Sequence, residues 1–157
     1  MLFRTTSPLF TLSFFTLSFA INAATPVPEC ANAQRFLEGK LAFWQPRMEL
    51  QTWKISVVMT RARDLRPRTL GNIHWDRHTN TATIRVLDAA DYKLACPAML
   101  ADMEFTLVHE LVHLEISSLP RSSASRGEEE RAVNRITHAL LLEEPPPDTH
   151  PAVAALP

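Results

Sequence analysis

The chain has 157 residues, of which 46% are hydrophobic and 21% charged, and its formal net charge is −1. That near-neutral balance gives no basic surface for nucleic acid or for an anionic membrane, so neither is expected as a partner. The length allows one domain around one core and little more.

In chain order, residues 1–24 come first. Arg4 precedes a run of Leu, Phe and Thr, and small residues follow at Ala20, Ala23 and Ala24. This is the layout of a secretory signal peptide, with cleavage expected near Ala23 or Ala24. The apolar run is too short and too rich in Ser and Thr for a membrane span. The expected destination is periplasmic or secreted, with no stable membrane insertion once the leader is removed. About 133 residues remain, enough for a single domain. Cys30 and Cys96 are the two cysteines. In an oxidising compartment an isolated pair usually forms a bridge, so a disulfide is expected between the first helix and the start of the histidine-bearing helix.

Residues 25–28, TPVP, read as an extended lead-in. From Glu29 to Trp44 the apolar positions Ala33, Phe36, Leu37, Leu41 and Trp44 recur at helical spacing, and Pro46 is expected to block continuation. From Thr52 to Thr60 the pattern alternates, with Trp53, Ile55, Val57 and Met59 on one side, and predicts a strand. Residues 61–72 form a basic loop broken by Pro67 and Gly71. IHWD (73–76) and TATIRVL (81–87) predict two short strands joined by a hairpin turn, RHTN. Pro97 suits the first turn of a helix running to about Ser117 that is apolar nearly all round and therefore buried. Ser125 with Glu128 three residues later reads as a capping box opening a last helix to about Leu142. Residues 144–157 form a Pro-rich tail expected to be disordered. The order helix, strands, helix, helix predicts an α+β domain over residues 25–143. In it a small mixed sheet of about three strands packs against the three helices.

The chemistry concentrates in TLVHELVHLE, residues 106–115. Four residues advance a helix by about 400°, so His109 and His113 share a face about 6 Å apart along the axis. Two imidazoles at that spacing suit one Zn2+ ion. Glu110 lies about 100° round the helix from His109, poorly angled to be a ligand but able to reach a water on the metal and take its proton. A zinc site of this kind needs a third protein ligand. The last helix offers Glu129 and Glu130, and periodicity favours Glu129, which would share a face with Val133, Ile136 and Leu140.

FTLVHELVHL followed by EEERAVNRITHALL resembles the gluzincin class of zinc metallopeptidases, and is most similar to the small ImmA/IrrE-type and HtpX-like families. The resemblance covers residues 104–142. It implies a zincin-like fold, with Zn2+ held by His109, His113 and Glu130 and with Glu110 as general base. It also implies that Asn134, four residues past Glu130, orients a metal-bound histidine. Val133 departs from the small Ala usual before that Asn or Asp. In such peptidases an extended substrate pairs with an edge strand beside the metal helix, for which TATIRVL is the candidate.

The expected function is exported, zinc-dependent hydrolysis of peptide bonds in a peptide or protein substrate. The alternatives are a zinc-binding interaction or regulatory module without catalysis, and a core helix whose histidines are merely structural. His74, His78, Tyr92 and His138 are candidates to stabilise an oxyanion. Trp44, Trp53 and Trp75 read as core, and the arginines between 61 and 68 read as a solvated loop or as a grip for acidic substrates.

Overall fold

The computed structural model describes residues 29–120 and 125–143. The expected signal peptide, the 25–28 lead-in and the Pro-rich tail lie outside the described residues.

After a 3-10 turn at Glu29–Asn32, helix α1 spans Ala33–Arg47. Its cap is Asn32, whose side chain accepts the Arg35 amide at 3.1 Å and satisfies one of the free donors of the first turn. Ala33, Leu37, Leu41 and Trp44 form its buried stripe. Pro46 does not stop the helix, which runs one residue further to Arg47. A proline in the final turn removes one hydrogen bond from a segment that is ending anyway. The chain then reverses at Glu49, in the left-handed region with φ 54°. Gln45 holds the reversal by donating to the carbonyls of Leu50 and Trp53 at 3.0 and 2.8 Å.

Three strands follow: β1 (Lys54–Thr60), β2 (Gly71–Asp76) and β3 (Thr81–Leu87). They make the predicted small mixed sheet, in the order β1-β3-β2, with β1 parallel and β2 antiparallel to β3. Ile84 sits opposite both Val57 and Ile73. Val57, Ala82, Ile84 and Val86 form one apolar face that joins the core. This arrangement corrects the expectation that TATIRVL is an edge strand. β3 is paired along both sides, so its backbone groups are already used. The strand at the edge of the sheet beside the histidine helix is β2, which begins at Gly71, two residues earlier than expected.

Helix α2 (Cys96–Glu115) enters through Pro97 and ends in a 3-10 turn at Ile116–Ser118. Met103, Leu107, Leu111 and Leu114 are fully or almost fully buried in the core, each contributing about 1.5–3 kcal/mol by leaving water. Cys96 is disulfide-bonded, and no described cysteine is free; the other cysteine of the chain is Cys30. Glu104, mid-helix, is buried because it accepts from the Trp44 indole at 2.8 Å and pairs with Lys40 at 2.9 Å, tying α2 to α1.

Helix α3 spans Arg126–Leu142. The expected capping box is not formed. Ser125 has helical backbone angles (φ −90°, ψ −4°) and its side chain makes no capping bond, because a capping hydroxyl needs an extended backbone to reach the first turn. Glu128 is exposed, 3.8 Å from Arg131. Ile136 is also exposed, and the buried stripe of α3 runs through Val133 and Thr137. Among the described residues no helix is long and apolar enough to cross a membrane.

Candidate metal centre

The core stripe of α2 passes through Leu107 and Leu111. His109, two residues past Leu107, lies about 200° round the helix, so the two histidines turn away from the core. They face α3 instead. Their Nε2 atoms approach to 3.1 Å, with ring planes at 71°.

α3 brings two adjacent carboxylates to this pair, and the two do different things. Val133 and Thr137 are fully buried and fix the rotation of α3. Glu129, one turn before Val133, continues that stripe inward and meets the far side of His113, with Oε1 3.1 Å from Nδ1. Glu130 flanks the stripe and stays half exposed at the rim. Its two oxygens lie 3.4 Å from His109 Nε2 and 3.4 Å from His113 Nε2. His109, His113 and Glu130 thus form a group that could hold a metal ion, with one ligand atom from each within 4.8 Å of the others. Glu129 does face α2, as periodicity suggested, but it meets the nitrogen pointing away from this group.

A carboxylate can only accept, so the His113 tautomer that suits Glu129 carries its proton on Nδ1 and presents the Nε2 lone pair toward Glu130. Asn134, one turn past Glu130, lies beside His109 and favours its protonated form, yet the buried Nδ1 of His109 has no hydrogen-bond partner. Burial, and then the neighbouring His113, outweigh Asn134 and Glu130 and push the His109 pKa down. The neutral ring is the form that binds metals.

Glu110 is only 8% exposed. Burial, and then the charge of Glu130, push its pKa up to about 7. One wall of its setting is Gly71, the first residue of β2. A Cβ there would lie 2.5 Å from Thr106 Cγ2, 2.6 Å from the Arg85 carbonyl and 3.6 Å from Glu110 Oε1. The sequence marked Gly71 as a loop breaker. Its use here is to let a strand lie directly against the histidine helix, which no local pattern announces.

These groups open onto a cleft of about 1260 Å³ whose walls include His109, Glu110, His113 and Glu130 on the helices and residues 70–75 of the β2 segment. Of the four oxyanion candidates, only His74 lines this cleft. Tyr92 donates to Asp102 at 2.9 Å, His138 packs against Phe105 with ring centroids 4.8 Å apart and planes tilted by 52°, and His78 is exposed in the hairpin turn. Trp44 is buried as expected, while Trp53 and Trp75 are partly buried against the core. Comparison of the chain with family models, with curated proteins and with solved structures found no match.

Proposed function

We propose that the protein is an exported, zinc-dependent metallopeptidase of gluzincin type, with His109, His113 and Glu130 as ligands and Glu110 as general base. One observation carries this reading. A tetrahedral zinc site with bonds of about 2.0–2.1 Å has edges of about 3.3 Å between ligand atoms. Here the two ring nitrogens lie 3.1 Å apart, each has a different oxygen of Glu130 at 3.4 Å, and one ligand atom from each of the three residues falls within 4.8 Å of the others. Two imidazoles and one carboxylate also match the donor set of catalytic rather than structural zinc sites, with one corner left for water.

A cation held there would supply Lewis acidity, drawing the pKa of a water down toward about 7 and polarising a carbonyl. Glu110, buried beside the pair of histidines, accepts the proton of the attacking water. It then delivers that proton to the departing amine nitrogen. Glu129 keeps the His113 ring in one orientation and tautomer throughout. β2, at the edge of the sheet beside this helix, would present backbone donors and acceptors to an extended peptide, which gives affinity without sequence dependence. Export to the periplasm or medium is supported by the first 24 residues and by the disulfide at Cys96.

The test is a quenched fluorogenic peptide together with elemental analysis. Stoichiometric zinc and chelator-sensitive hydrolysis are expected, and Glu110→Gln should keep the metal while losing about 10²–10⁴-fold in rate. Stoichiometric zinc with no cleavage of any peptide would point to a non-catalytic binding module. A protein without metal would sink both readings.

A further inference from the structure

Away from the metal ligands, the walls of the same cleft are basic. Arg66 and Arg68 line it from the loop before β2, and Arg85 lines it from β3. The other arginines of that loop are neutralised within the fold. Arg61 is paired with Asp91 through two side-chain contacts, and Arg63 lies 3.6 Å from Asp64. Asp64 is the one acid on this part of the wall, and Arg63 already engages it. The remaining cleft acids, Glu110, Glu129 and Glu130, belong to the metal end. Among the described residues, the guanidinium groups of Arg66, Arg68 and Arg85 have no ion pair and no hydrogen bond. Arg68 is held at φ 64°, a left-handed backbone that few non-glycine residues adopt.

We propose that this arm of the cleft binds a carboxylate of the substrate through Arg66, Arg68 and Arg85. The proposal rests on the peptidase reading and gives that site a substrate class: peptides carrying an acidic group a few residues from the scissile bond. Three cations on one concave wall, with Asp64 as the single acid beside them and already engaged by Arg63, repel one another, and a concave wall focuses their field. An incoming carboxylate relieves that repulsion, and the planar guanidinium fork accommodates it with paired hydrogen bonds. The carboxylate comes either from an Asp or Glu side chain or from the substrate's own C-terminus.

The experiment measures peptide binding rather than turnover, using zinc-loaded Glu110→Gln full chain and fluorescence anisotropy. Three labelled peptides of equal length are compared: a neutral one with an amidated end, one with an internal Glu and an amidated end, and a neutral one with a free C-terminus. At least one carboxylate peptide should bind about tenfold tighter than the neutral amide, and the advantage should shrink with salt. Which of the two it is names the source of the carboxylate. Arg66→Gln, Arg68→Gln and Arg85→Gln, each at an exposed position, should together remove the advantage while zinc content stays unchanged. Equal affinities, absence of binding, or an advantage that survives the three substitutions (a carboxylate sitting on the metal) would overturn the proposal. Cleavage assays on the unmodified chain keep the two ideas apart. Cutting without charge preference refutes the carboxylate arm alone, whereas arginine-dependent binding without any cutting refutes the peptidase alone.

Discussion

Glu129 Oε1 lies 3.1 Å from His113 Nδ1, on the opposite side of the ring from the Nε2 that faces Glu130. Two neighbouring glutamates of one helix therefore flank one imidazole, and only Glu130 also reaches His109. Replacing the group that orients a metal-bound histidine typically costs 10–100-fold in affinity. Glu129→Gln should thus weaken zinc binding by about that factor in a competition titration with a chelating dye, while Glu130→Gln, which loses a charged ligand, should weaken it more. The opposite ranking would exchange the roles given to the two residues.

Gly71→Ala should destabilise the fold by about 1–3 kcal/mol in urea denaturation, as overpacking does. The added methyl meets both a side chain, Thr106 Cγ2 at 2.5 Å, and a backbone atom, the Arg85 carbonyl at 2.6 Å. Adding Thr106→Ser removes the first clash and leaves the second, so the double variant should recover only part of the loss. Full recovery would mean that the strand moves freely against α2.

Glu104→Ala should cost about 1–3 kcal/mol, since the buried indole N–H of Trp44 loses its acceptor and Lys40 loses its carboxylate. Glu104→Gln retains an oxygen for Trp44 and should cost less. Equal losses from the two would assign the effect to the charge on Lys40 alone.

The pairing of Arg61 with Asp91, aided by the Ala62 amide, holds the Asp91 carboxyl at about 2, below its ordinary 3.8. A depressed carboxylate pKa stabilises the fold above the unfolded value and loses that contribution as pH falls through the folded value. The stability difference between the native chain and Asp91→Asn should therefore be constant above about pH 5 and shrink as pH falls toward about 2. The pair is solvent-exposed, so the difference should be small and should diminish with salt. A difference that grows on acidification contradicts the assignment.

Much of the molecule was legible because its signals are local. Helical spacing marks α1 and α2, and alternation marks β1. The hairpin turn announces itself in RHTN, and four-residue spacing alone puts His109 and His113 on one face. Local signals also misled in places. Ser125 and Glu128 have the spacing of a capping box, but the backbone at Ser125 is helical. TATIRVL has a clean alternation, which says which face is buried and nothing about how many neighbours pair with it.

By itself the sequence determined the α+β class and the two histidines with their adjacent glutamate, all consequences of backbone periodicity within one element. The division of labour between Glu129 and Glu130 was decided by tertiary structure. Consecutive helical residues point about 100° apart, and which one meets an Nε2 depends on how Val133 and Thr137 seat α3 against α2. The central position of β3, the close pass of Gly71 against Thr106, and the uncompensated Arg66, Arg68 and Arg85 were decided in the same way. Each is a relation between elements distant in sequence, fixed by packing rather than by any local preference of the chain.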